Sequence, residues 1–211
     1  MLGKFIVFEG IDGSGTSTQS ELLKDFLLDN NINAVTTCEP SSGPIGNMIR
    51  EGFKKRLSFV RDEKLFDEQM AYLFAADRHD HIHNEVDGIY YLNNKGITAI
   101  STRYFFSSLV YHVNNDEEYN FVKKLNEKFP LPDLTIYIDN PVEISLQRIS
   151  LRAHRDAYEN KEKFWTYGRK EISQACSYCI RRKKDWVNLF RRIKKKNGSF
   201  GISCLGVVVK F

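Results

Sequence analysis

Gly10-Ile11-Asp12-Gly13-Ser14-Gly15-Thr16-Ser17 has the glycine spacing of a loop that cradles phosphate, G-x-x-x-x-G-K-[ST], with threonine in the lysine's place. Glycines at these steps let backbone N–H groups converge on anionic oxygens, and a helix that follows adds its positive end. Ser17 brings a hydroxyl of the kind that binds Mg²⁺ beside a phosphate chain. The phosphates of a donor would lie along residues 12–18, ending at Thr18. Taken alone, the loop leaves a ligand-free strand-to-helix turn open as the plain alternative.

Such a loop works only between a strand and a helix, and the flanking residues supply both. Residues 5–8 are a short apolar run, read as a strand buried on both faces. Residues 17–28 carry Leu22, Leu23, Phe26 and Leu27 at helical spacing. Further strands are expected over 32–37, 97–101 and 134–138, and helices over 45–53, 62–83 and from 142 to about 152. The long helix places Leu65, Phe66, Met70, Leu73 and Phe74 on one face. Residues 202–211 suit a terminal strand. Alternation of this kind predicts an α/β fold, a central parallel sheet in a three-layer α/β/α sandwich with right-handed crossovers. No linker or repeat divides the chain, so residues 1–211 are expected to form one domain.

The bulk composition fits that class. Of 211 residues, 42% are hydrophobic and 27% charged, and no run approaches the roughly 20 apolar residues that span a bilayer. The N-terminus runs straight into a strand pattern, so no signal peptide and a cytoplasmic location are expected. The net charge of +4 is mild, and the basic runs 181–184 and 191–196 read as a solvated helix face rather than a nucleic-acid patch. Cys38, Cys176, Cys179 and Cys204 are too scattered for a disulfide framework. Cys176 and Cys179 lack the further ligands a zinc site needs.

Residues 5–19, FIVFEGIDGSGTSTQ, resemble the opening of thymidylate kinases, and the resemblance continues in register. Glu39-Pro40-Ser41-Ser42-Gly43-Pro44-Ile45-Gly46 resembles that family's Glu-Pro-Gly-Gly-Thr-Pro-Ile-Gly loop. Leu73-Phe74-Ala75-Ala76-Asp77-Arg78 matches its Leu-Phe-Ala-Ala-Asp-Arg helix. The segment from Arg103 to Tyr111 resembles the one that follows its Asp-Arg-Tyr motif, and residues 131–138 resemble the strand before its lid. The likeness covers residues 4–164.

The resemblance implies a P-loop nucleoside-monophosphate kinase that uses ATP and Mg²⁺ to phosphorylate dTMP, and a homodimer. It implies that Arg103 grips the acceptor phosphate, with Arg50 a second candidate. Phe74 and Arg78, one turn apart on a helix, would stack on the thymine ring and hydrogen-bond its carbonyl. Asp12 would meet the sugar 3′-hydroxyl, and Tyr111 would crowd the 2′ position. A lid at about 148–160 would carry Arg148, Arg152 and Arg155, with Arg152 and then Arg155 the candidates for the transition-state cation. No nucleic acid and no membrane is implied as a partner.

Four family positions differ. Thr16 replaces the loop lysine, Thr102 the aspartate of Asp-Arg-Tyr, Cys38 an arginine before Glu-Pro, and Ala157 an arginine of the lid. Losing one preorganised electrostatic donor typically costs about 3 kcal/mol of transition-state stabilisation. Three readings therefore stand at this point. One is an active kinase in which lid arginines or Lys4 replace the lysine, and another is a nucleotide-binding relative with weakened catalysis. The third is a deoxynucleoside kinase with Glu9 or Glu39 as base.

Overall fold

The computed structural model describes residues 2–54, 56–57 and 59–151, together with the backbone of 207–209. In chain order the elements are β1 Phe5–Gly10, α1 Thr16–Asp29, β2 Ala34–Cys38, α2 Pro44–Phe53, α3 Glu63–His83 and α4 Ile89–Asn94. After these come β3 Thr98–Thr102, α5 Phe105–Tyr111, α6 Asp116–Asn126, β4 Leu134–Ile138, α7 Val142–Ser150 and β5 Val207–Val209. The strands form one sheet in the order β2-β3-β1-β4-β5.

β1 is buried along its whole length, because it lies in the middle of the sheet with helices on both faces. Its alternate side chains feed two cores. Ile6 and Phe8 meet Leu23 and Leu27 of α1 with Ile100 and Ile136, while Phe5 and Val7 meet Ile82, Ile89, Ala99 and Tyr104. Each large apolar side chain removed from water in this way is worth about 1.5–3 kcal/mol.

Four strands are parallel, as the alternation predicts: Phe8 stands opposite Thr102 of β3, and Gly10 opposite Ile138 of β4. Within the expected terminal strand, Val207–Val209 pairs antiparallel with β4, so the sheet is not parallel throughout. The connection from β1 to β2 passes beyond β3, and that from β3 to β4 crosses β1. The C-terminal end of β1 therefore opens into the crevice where ligands bind in sheets of this kind.

The long helix α3 starts where its cap dictates, with the Asp62 carboxylate accepting from the Leu65 N–H at 2.9 Å. Met70, Ala71, Ala75, Arg78 and Ile82 form its buried stripe, whereas Leu65, expected on that face, is 52% exposed. Helices α4, α5 and α6 add to the elements expected, and α7 ends at Ser150 rather than 152. Most of the lid at about 148–160, Cys176, Cys179, Cys204 and the basic runs lie outside the described residues. No helix among the described residues is long and apolar enough to cross a membrane.

Candidate active site

The phosphate loop leaves β1 at Gly10 and enters α1 at Thr16. Gly13 (φ 75°) and Gly15 (φ 103°) hold left-handed backbone that a side chain would strain. A Cβ on Gly13 would lie 2.6 Å from the Ser145 carbonyl oxygen, so only glycine lets the loop pass beneath α7. No side chain caps the N-terminus of α1, and no acidic residue occupies its first turn, which leaves its N–H groups and dipole open to an anion. The Ser14 hydroxyl, buried in this loop, has no hydrogen-bond partner among the described residues. Orphaned buried polar groups are uncommon, and a bound phosphate is the kind of ligand this cradle fits.

Beside the loop opens a pocket of about 200 Å³. Six of the residues singled out by sequence line it: Asp12, Glu39, Phe74, Arg78, Arg103 and Tyr111. Arg103 follows β3 in a left-handed turn (φ 71°), unusual for a residue with a side chain. Its N–H donates to the Phe8 carbonyl at 2.8 Å, and the Ser101 hydroxyl donates to its carbonyl at 2.9 Å, which fixes the turn. The guanidinium is ion-paired with Asp12, donates to Ser107 Oγ at 3.1 Å and lies over the Tyr111 ring at 5.3 Å. Tyr111 in turn donates to Asp12 Oδ2 at 3.0 Å. Burial works against the Arg103 charge, but Asp12, Tyr111 and Glu9 outweigh it and hold the group more firmly protonated than usual. A planar, permanently charged fork is thus held between phosphate loop and pocket.

The other end of the pocket is built on α3 and α5. Arg78, 1% exposed, donates to Glu39 Oε2 from Nε at 2.9 Å and Nη2 at 2.6 Å, and also to Ser108 and Asn126. Phe74 is only partly buried. Its ring stands 5.1 Å from that of His112 and 6.2 Å from that of Phe53, so it closes the pocket wall while packing on the Met70 cluster. Burial, with Arg78 nearby, lowers the His112 pKa to about 3, and the imidazole in the wall is neutral.

Arg50 is not among the residues that line this pocket. Its guanidinium turns to the carbonyls of Pro40 and Ser41 and to Cys38 Sγ at 3.2 Å, bracing the loop from behind. The pocket also contains Ser107, Ser108 and His112, to which the sequence reading gave no role. The signal was the segment itself, since residues 107, 108, 111 and 112 fall on one side of α5 and its C-terminal cap.

Glu9 lies beneath the pocket and is fully buried. Its carboxylate accepts from the Tyr104 N–H and the Ser107 hydroxyl, each at 2.8 Å. Burial raises its pKa from 4.5 to about 7, against the opposing pull of Arg103 and the two hydrogen bonds. A raised carboxyl pKa means that the folded protein holds the proton more tightly than the unfolded chain does. The stability contributed is complete below about pH 4.5 and lost as pH rises to about 7, a span worth about 3 kcal/mol. Glu9→Gln should therefore match the natural protein in thermal unfolding at pH 5 and exceed it at pH 8. A gap that stays constant across this range would contradict the assignment.

A kinase-type phosphate loop facing an arginine-floored pocket is also what the comparisons find. The family described as thymidylate kinase matches residues 8–186. A probable thymidylate kinase of Methanococcus aeolicus is 41% identical over 161 residues, 76% of this chain and 74% of that protein. Another from Pyrococcus horikoshii is 40% identical over 152 residues, 72% of each chain. The chain belongs to the thymidylate kinase family. The solved structure of thymidylate kinase from Candida albicans shares the fold, with a TM-score of 0.65 at 24% identity and 93% of each chain covered.

For a member of the thymidylate kinase family, the departures now have places. Thr16 is the first residue of α1, and Thr102 ends β3, its carbonyl accepting from the Glu39 N–H at 3.0 Å. Cys38 ends β2 beside Arg50. Arg152, Arg155 and Ala157 lie outside the described residues. Arg148, on α7, reaches the loop: its Nη1 donates to the carbonyls of Gly13 at 3.1 Å and Ser14 at 3.2 Å.

Proposed function

We propose that this protein transfers the γ-phosphoryl group of ATP to dTMP, yielding ADP and dTDP, in the cytoplasm and as a homodimer. The observation that carries the reading is Arg103, pinned by Asp12 and Ser107 between the phosphate loop and the pocket. An acceptor whose base lies against Phe74 and Arg78 would bring its 5′-phosphate to that guanidinium. Asp12 and Tyr111 would then meet the deoxyribose. The donor phosphates would follow residues 12–18 to the N-terminus of α1.

An acceptor phosphate oxygen forms the new bond to the γ-phosphorus as the bond to the β-phosphate bridging oxygen breaks, and ADP leaves. Little covalent work falls to the protein, which supplies alignment and positive charge. Among the described residues no group of three or more His, Cys, Asp or Glu could hold a metal on its own. Mg²⁺ would be held largely by substrate phosphates and water, with the Ser17 hydroxyl as the protein's contribution. Mg²⁺ held there would neutralise charge developing on the transferred group. Arg152 and Arg155 are the proposed cations of the lid.

A coupled assay for ADP with ATP, Mg²⁺ and either dTMP or thymidine tests the reading. Turnover is expected with dTMP and not with thymidine. Thymidine turnover without dTMP turnover would assign the pocket to a nucleoside instead.

A further inference from the structure

The loop of this chain has no lysine at position 16, yet its β- and γ-phosphates would still require a cation. Lys4, one sequence candidate, is excluded by its position. It precedes β1 and pairs with Asp133 at 3.6 Å, a whole six-residue strand, about 20 Å, from the loop. Arg103 is committed to Asp12 and Ser107 on the acceptor side. Among the described residues Arg103 and Arg148 are cations that touch the loop, and of these two Arg148 lies on the donor side.

Its placement follows from how α7 is seated. Ile149 packs on Ile11 at the start of the loop, and the Ser145 carbonyl lies directly above Gly13. With the helix fixed at both points, Arg148, one turn beyond Ser145, extends over the loop. Nη1 bonds the Gly13 and Ser14 carbonyls, and a Cβ on Gly15 would be 3.7 Å from the same nitrogen. The side chain is exposed, and Nε and Nη2 have no partner among the described residues. A guanidinium carries five N–H donors, so anchoring through one nitrogen leaves most of the fork available to an incoming anion.

Resting on the kinase reading above, we propose that Arg148 supplies to the donor's phosphates the charge that position 16 does not. It is then a catalytic residue donated by α7 in place of one in the loop.

The test compares Arg148→Gln and Arg148→Lys in the natural chain and in a Thr16→Lys background. Arg148→Gln should lower kcat/KM for ATP about a hundredfold in the natural chain, with Arg148→Lys retaining part of the rate. In the Thr16→Lys background the same change should cost less than about threefold, since the lysine then provides the charge. Calorimetric titration with inorganic tripolyphosphate, which has no base to stack, should show the same loss and the same rescue. Equal losses in both backgrounds, or an unchanged tripolyphosphate affinity, would overturn the proposal and leave Arg148 a contact to the nucleoside or a brace of the loop. The titration reads Arg148 even if dTMP proves not to be the acceptor, so failure of the substrate assignment remains distinguishable.

Discussion

Replacing Arg103 with alanine should lower kcat/KM for dTMP about a thousandfold, with most of the loss in acceptor KM. Two effects act together. The acceptor phosphate loses a bidentate, charge-assisted partner, and the Asp12 carboxylate, now without its ion pair, faces that phosphate as a like charge. Arg103→Lys keeps a charge but not the fork that spans Asp12 and Ser107, so it should fall between alanine and the natural residue. Because residue 103 holds φ 71°, glycine should relieve about 1 kcal/mol of backbone strain while removing the same contacts. Arg103→Gly should thus be as inactive as alanine yet unfold at a higher temperature. Steady-state kinetics with both variants, alongside thermal unfolding, separates the loss of the cation from damage to the fold. An unchanged KM for dTMP would remove Arg103 from the acceptor site.

That arginine illustrates what the sequence could and could not convey. Its place at the end of a β-branched strand run was legible, because the chain must emerge at the C-terminal end of the sheet where the buried run stops. The same logic located β1, the phosphate loop and β4, whose bounds at Leu134–Ile138 are those expected. The left-handed turn was not legible, since arginine has no preference for it; the bonds to Phe8 and Ser101 impose it from outside. Helix α5 escaped for a related reason. Phe105-Phe106-Ser107-Ser108-Leu109-Val110-Tyr111 is rich in aromatic residues and serine, which favour helix only weakly, and it is helical because Phe106 and Val110 are drawn into a core with Tyr137. The direction of the Arg50 guanidinium was not legible either, because the carbonyls of Pro40 and Ser41, across the turn from it, draw it in. Strand order lay beyond sequence altogether, because it depends on which crossovers span β1 and β3 rather than on any local pattern.

Gly13→Ala should weaken donor binding at least about a hundredfold while sparing the acceptor pocket. The new methyl carries two costs that glycine avoids. At φ 75° an alanine loses about 1–2 kcal/mol to backbone strain. Its Cβ would also lie 2.6 Å from the Ser145 carbonyl and 3.2 Å from Ile149 Cγ1, overpacking worth a further 1–3 kcal/mol. Backbone cannot yield as a flexible side chain would, so α7 must lift from the loop. With it go the Ile11–Ile149 contact and the Arg148 guanidinium. Together these should lower the unfolding temperature by roughly 10 °C, taking about 3 kcal/mol at 2–4 °C each for a chain of this size. ATP affinity should fall at least about a hundredfold, because cradle and cation are displaced at once. Phe74, Arg78 and Arg103 sit on α3 and after β3, away from α7, and dTMP affinity should stay within about twofold. Calorimetric titration of each nucleotide separately checks this. Equal losses for ATP and dTMP would mean that the loop and the acceptor pocket form one cooperative unit, contrary to the division of labour argued for this site.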